Sequence, residues 1–492
     1  MKKLNKQNGL TLIALIITII VMLILVAVTI NMAINGGLFE KAGKATKDTK
    51  DAMNEEQALA NGQIIIDGKT YASIDEYFNG TSVAMFDTGT NVITKIHTLA
   101  KDGEIMFDSS AGVNLSINEI KEYEGTPDLT KMTEANIVSW SDGYKAFEQE
   151  PDKYKNIVPE GYELCPIYMW FEENEGTEKR NVWGKLETYG NSTDHDVKTG
   201  TIYWWSESKN VYMNPDSSQM FGSLPYLTNI SGLQKLKTTY VTNMNSIFKG
   251  STQNLQNVNA LKDWDTTNVE NMEGLLYAWN ENDRRLDING LKNWNTSNVK
   301  NMSSMFVGTG IEDSEVLKNW NTSKVTNMSY MFGDGDTGGS LKNLDGISNW
   351  NVSNVTNMQG MFFDCPVENL DAISNWDVSN VTNMQAMFRG SHVENLDAIS
   401  NWDVSNVTNM QGMFSGSHVE NLNGISNWNV NNVDSMDFMF YNCQNLTDAS
   451  EINDWNIKSD CGFTNMFFNC STHPNFTKVT GTWDENGTFL PN

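Results

Sequence analysis

Ser374-Asn375-Trp376-Asp377-Val378-Ser379-Asn380-Val381-Thr382-Asn383-Met384-Gln385-Ala386-Met387-Phe388 returns almost letter for letter as Ser400 to Phe414. Looser copies run in both directions. The Trp of the phrase falls at Trp264, Trp294, Trp320, Trp350, Trp376, Trp402, Trp428 and Trp455, at intervals of 26 to 30 residues. Its closing Phe falls at Phe306, Phe332, Phe362, Phe388, Phe414, Phe440 and Phe467, and Leu275-Leu276, Ile247-Phe248 and Met220-Phe221 continue the series upstream. Self-similarity at this period, over about ten copies, is the mark of a stacked array.

Within one copy Val381, Met384, Met387 and Phe388 stand at i, i+3, i+6 and i+7, which predicts one apolar face of a short helix starting near Ser379. After the turn Arg389-Gly390-Ser391, the stretch Val393 to Ile399 reads as one short strand of a parallel sheet, with Leu396 and Ile399 turned inward. No copy hides its Leu, Ile, Trp, Val, Met and Phe alone, so stacking is obligatory. The repeated Trp and Phe are therefore expected as core, and Asn375, Asn380 and Asn383 as ladders that satisfy the turns. The expected fold is a solenoid of about 26–30 residues per repeat, each repeat a short parallel strand plus a short helix or turn.

Ahead of the array the chain divides in three. Residues 1–9 form a basic leader with Lys2, Lys3 and Lys6, and residues 10–34 carry no charge and are long enough to span a bilayer as a helix. Residues 35–61 read as a polar continuation of that helix. The lysines place the short end inside and the acidic bulk outside. The apolar run is too long for an ordinary secretory signal. From 62 to 213 the sequence is β-rich, one or two small units, with strands at Gln63–Tyr71, Val92–Ile96, Glu104–Phe107, Ile167–Phe171 and Ile202–Trp205 and a helical patch at Tyr144–Tyr154. The array takes 214–482, and 483–492 is a tail.

With 61 acidic against 34 basic residues and a net charge of −27, the chain repels nucleic acid and favours neutral or basic partners. Five cysteines make no disulfide framework. Cys365, Cys443 and Cys470 share one repeat position, three residues past the Phe, so Cys443 and Cys470 stack in neighbouring copies, as small buried residues or as a bridged pair. Cys165 and Cys461 stand outside that pattern.

Chemistry is sparse. The five His form no zinc-binding helix, and Gly333 to Gly338 matches G-x-G-x-x-G in letters but lacks the strand before and helix after. His392 and His418 stack in adjacent copies as solvated residues or a metal pair without a third ligand. Asp334 and Asp336 lack the remainder of a calcium loop. No catalytic, cofactor or metal site is assigned, and no enzyme is expected. A surface hydrolase would rest on the aromatic strands at 167–171 and 202–205 alone.

Two resemblances follow from these residues. Gly9-Leu10-Thr11-Leu12-Ile13 ahead of the apolar run resembles the class III signal of type IV pilins and pseudopilins, which implies cleavage between Gly9 and Leu10. The pilin pattern has Glu at the fifth mature position where this chain has Ala14, and in pilins that Glu serves assembly. The phrases Asn-Trp-Asp-Val-Ser-Asn-Val-Thr-Asn-Met-x-x-Met-Phe and Phe-x-x-Cys resemble the BspA-like leucine-rich-repeat surface proteins of bacteria, over roughly residues 200 to 470. That resemblance implies a cell-surface solenoid that adheres to host, matrix or neighbouring-cell partners through a protein or glycan ligand. The pilin-like segment implies the alternative, a minor subunit of an envelope filament with the solenoid as its head. In both readings residues 10–34 hold the chain in the membrane.

Overall fold

A copy of the phrase carries seven or so apolar letters on fewer than thirty residues, too few to enclose a core, and the structure resolves this by winding each copy into one coil against the next. The computed structural model describes residues 64–66, 69–71, 82–85, 114–128, 138–139, 163–164, 167–175, 178–181, 194–278, 285–333 and 339–492. The chain divides into two units, Met1–Gly80 and Thr81–Asn492. Described in the first is a hairpin of β1 (Ile64–Ile66) and β2 (Lys69–Tyr71), paired antiparallel with Ile64 opposite Tyr71.

In the second unit each coil is made of turns and one 3-10 helix of three residues, for example Asp371–Ile373, Asp397–Ile399 and Asn423–Ile425. Among the described residues there is no α-helix. The helix expected over Val381–Phe388 is instead a run of turns, in which the Met387, Arg389 and Ser391 N–H groups bond back to the carbonyls of Met384, Ala386 and Phe388. The intervening N–H groups leave the coil: Met384, Ala386, Phe388 and Gly390 donate to Asn409, Gln411, Met413 and Ser415 of the next coil at 2.8–2.9 Å. A helix would spend those donors on residues four back. Here they join the coils.

The backbone reason lies one residue before each Met-Phe pair. That residue is left-handed in all ten copies, from Gln219 (φ 55°) through Ala386 (φ 54°) to Asn465 (φ 50°), and one left-handed residue ends an L-amino-acid helix. The strand expected over Val393–Ile399 is likewise replaced, by an extended approach and the 3-10 helix Asp397–Ile399. Parallel pairing runs mainly earlier in the copy, as a column of single bridges through Asn301, Asn327, Asn357, Asn383, Asn409 and Ser435, with single bridges Asn257–Asp287 and Asp313–Asn343 at the expected strand position in other copies.

The core is a set of columns. The Phe rings from Phe306 to Phe440 stack coil on coil with centroids 5.6–5.8 Å apart. Each repeat Trp is 4% exposed or less, and its indole N–H donates to the last residue of the previous coil's 3-10 helix, as Trp376 does to Ile347 at 3.2 Å. All eight indoles do this, at 3.0–3.2 Å. The Trp thus buries its ring and satisfies its one donor between layers.

Both ends of the array are closed. At the front stand β3 (Ser82–Met85), β4 (Asn114–Glu122), β5 (Val138–Ser139), β6 (Glu163–Leu164), β7 (Ile167–Glu173), β8 (Glu178–Asn181), β9 (Asp194–Ser206) and β10 (Val211–Tyr212). Strand β9 is central: β7 and β8 pair antiparallel to it, and β4 runs parallel. The free edge of β4 meets the first coil through Ile120 N–H to Asn229 O at 3.0 Å, and Trp204 of β9 donates to Gly232 O in that coil at 3.1 Å. Of the expected elements, Val92–Ile96, Glu104–Phe107 and Tyr144–Tyr154 lie outside the described residues. At the far end the expected tail is a hairpin, β11 (Gly481–Trp483) with β12 (Phe489–Pro491). It replaces a missing coil, since Gly487 O accepts from Phe467 N–H at 3.0 Å and Thr488 Oγ1 accepts from Asn465 N–H at 2.8 Å.

Among the described residues no helix is long and apolar enough to cross a membrane. Residues 10–34, with Gly9 and Leu10, lie outside them.

Candidate binding face

Constant letters fill the core, so a surface that distinguishes one coil from another must be made from the letters that change. The structure sorts the exposed positions into rows. One row is nearly constant and already engaged: Asn268, Asn298, Asn354, Asn380, Asn406 and Asn432 each donate Nδ2 to a carbonyl of the previous coil at 2.6–2.8 Å, and Lys324, which takes the place of Asn in one copy, donates to Asn298 Oδ1. A second is partly interlocked: Gln385 Nε2 donates to Gln411 Oε1 at 2.9 Å, and Asn409 Nδ2 to Gln385 Oε1 at 3.2 Å. Asn383 and Asn409 also accept from the N–H two residues on, at 3.1 and 3.0 Å. These amides are scaffold.

The row one residue past the Phe differs. It reads Gly222, Lys249, Tyr277, Val307, Gly333, Phe363, Arg389, Ser415, Tyr441 and Phe468, of which Gly222, Val307, Gly333, Phe363 and Ser415 are buried and the other five reach the surface. Neighbours along it meet in pairs. Lys249 Nζ lies 4.7 Å from the Tyr277 ring centroid and the Arg389 guanidinium 4.9 Å from that of Phe363, both within cation–π range. Tyr441 and Phe468 stack at 5.1 Å with rings 13° apart, and Phe438, from the left-handed position of its coil, meets Tyr441 edge-on at 5.8 Å. Tyr441, Phe468 and Phe438 are half-buried. The row lies between the Phe and the next expected strand, where the copies differ most, and aligning them on Met-Phe marks it as the column that refuses to repeat.

Two positions further along, the chain turns inward again. Cys365, Cys443 and Cys470 aim their thiols at the carbonyls of Phe332, Phe414 and Phe440 in the preceding coil, at 3.8, 3.1 and 2.9 Å. Ser251 does the same to Phe221 O at 2.7 Å, so the position holds a small donor. Burial pushes the Cys365 and Cys443 thiols up to about 12 and that of Cys470 up to about 11. Cys443 and Cys470 are free thiols, and so is Cys461, which burial pushes up to about 12; Cys165 lies outside the described residues.

His392 and His418 stack face to face at 4.7 Å with rings 3° apart. Among the described residues no group of three or more His, Cys, Asp or Glu side chains is placed to hold a metal ion. Asp334 and Asp336 lie outside the described residues.

Comparison with known families matches the chain to DUF285, described as a Mycoplasma protein of unknown function, at residues 215–335, 276–371 and 363–483. Neither a curated protein nor a solved structure matches the chain. The three overlapping segments follow the coiled array from its first copies to its closing hairpin and take in more than half of the 492 residues. The chain belongs to the DUF285 family.

Proposed function

We propose that this is a membrane-anchored cell-surface protein whose BspA-like array is a binding scaffold for adhesion. The observation that carries the reading is the separation of rows: letters that repeat are consumed by the core and the inter-coil bonds, while the row that changes brings the cationic and aromatic residues Lys249, Tyr277, Arg389, Tyr441 and Phe468 to the surface. A scaffold that holds its backbone constant while varying the surface residues of one row is suited to recognition rather than chemistry. The basic leader, the uncharged stretch 10–34 and the prepilin-like Gly9-Leu10 junction supply the anchor and its processing. The acidic balance of −27 keeps such a surface soluble and turns away nucleic acid.

The test uses intact cells that make the full chain. External protease is expected to release fragments from residues 194–492, and cells without the chain are expected to adhere less to host matrix or to each other. A chain untouched by external protease, or adherence that does not depend on it, contradicts the proposal.

A further inference from the structure

Along the variable row, an aromatic ring is met by a cation from the adjoining coil. Tyr277 lies under Lys249, contributed by the coil before it, and Phe363 under Arg389, contributed by the coil after it. The third aromatic position breaks the pattern. Tyr441 is flanked by Ser415 on one side and Phe468 on the other, and among the described residues no lysine or arginine lies over Tyr441 or Phe468. Their stacked rings, with Phe438 against the edge of Tyr441, make a half-exposed aromatic platform at the closed end of the array.

The charge of the coils that carry the platform is one-sided. Between Ser426 and Ser471 stand six carboxylates, Asp434, Asp437, Asp448, Glu451, Asp454 and Asp460, against a single cation, Lys458. Lys458 is itself ion-paired with Asp434. The coils thus offer ring faces and a negative field, with their one cation engaged. An aromatic face attracts a cation through its quadrupole, more strongly where water is partly excluded, and an acidic surround raises the local concentration of basic ligands.

We propose that the Tyr441–Phe468 platform receives an arginine or lysine side chain from a basic polypeptide docked on the acidic coils 426–471. The intermolecular contact repeats in trans what Lys249 and Arg389 do in cis. The proposal rests on the array being a binding scaffold and names the class of partner.

The experiment measures binding of a labelled hexa-arginine peptide to the detergent-solubilised full chain, beside the same peptide built from neutral citrulline. Hexa-arginine is expected to bind, more weakly as salt rises, and citrulline to bind at least tenfold less well. Tyr441→Ser, which installs the residue that Ser415 already supplies in this row, is expected to weaken hexa-arginine binding about fivefold with the thermal midpoint little changed. Ser415→Lys copies the Lys249–Tyr277 order, covers Tyr441 from within the chain, and is expected to weaken binding to a similar extent. Equal binding of the citrulline peptide, equal binding by both variants, or preferential binding of a neutral oligosaccharide overturns the proposal. If adherence requires the chain while both variants bind hexa-arginine like the parent, the scaffold reading stands and this partner class falls.

Discussion

At the scale of single residues, the array depends on a backbone conformation that side chains resist. The position before each Met-Phe pair is left-handed whatever residue fills it: Gly274, Gly360 and Gly412 in three copies, Ala386, Tyr330 and Phe438 in others. Glycine takes that conformation freely, whereas a Cβ there costs about 1–2 kcal/mol. The copies allow the strain to be separated from packing. A Cβ built on Gly412 meets only the Ser415 Cβ at 3.8 Å, but one built on Gly360 comes within 2.4 Å of the Tyr330 ring. Gly412→Ala is therefore expected to cost about 1 kcal/mol, the strain less the entropy that glycine loses on folding. Gly360→Ala is expected to cost more than Gly412→Ala, because the Tyr330 ring must also move. Denaturant unfolding of the two variants checks the order. Equal costs contradict the packing half of this account.

At the scale of the element, each coil is held by bonds that leave it. Three or four N–H groups of each described coil point to the next coil, and the side chains of Ser251, Cys365, Cys443 and Cys470 point to the previous one. Burial raises the Cys365 and Cys443 thiols from an ordinary 9.0 to about 12, so their neutral forms are the ones the fold accommodates. The stability this contributes is fully present below pH 9 and is lost as pH rises towards 12. Cys365→Ser and Cys443→Ser together are expected to flatten the alkaline decline seen by thermal unfolding between those limits; an unchanged decline contradicts the assignment. The sequence made the coil's existence plain and its interior less so. The spacing of Val381, Met384, Met387 and Phe388 fits a helix and a chain of turns equally, since both bring residues three apart to one side. What separates them is the left-handed residue at Ala386, and an alanine carries no signal for it. The strand expected after Phe388 failed for a related reason: parallel pairing runs through Asn383, a residue poorly suited to sheets but able to fold its side chain onto the backbone two residues on.

At the scale of the whole array, stacking makes stability a sum over coils and their interfaces. Because Ser374–Phe388 and Ser400–Phe414 are near copies, deletion of residues 374–399 presents coil 348–373 with almost the same partner it had before. The shortened chain is expected to unfold cooperatively with the same far-ultraviolet dichroism per residue, and aggregation or loss of the transition contradicts the stacking scheme. The candidate binding row was less legible than the scaffold, because repetition draws attention to letters that agree, and this row is defined by letters that do not. Repeated letters hold the fold, while the surface residues of the changing row do not. Thermal unfolding of the full chain carrying Arg389→Ser and Tyr441→Ser, run beside Trp376→Ala, tests it most directly. Trp376→Ala opens a cavity and leaves the Ile347 carbonyl without its indole donor, a loss of about 3–5 kcal/mol that lowers the midpoint by about 10 °C. The row variant is predicted to stay within about 3 °C of the parent. A fall as large as that of Trp376→Ala would place the row in the scaffold and contradict the account.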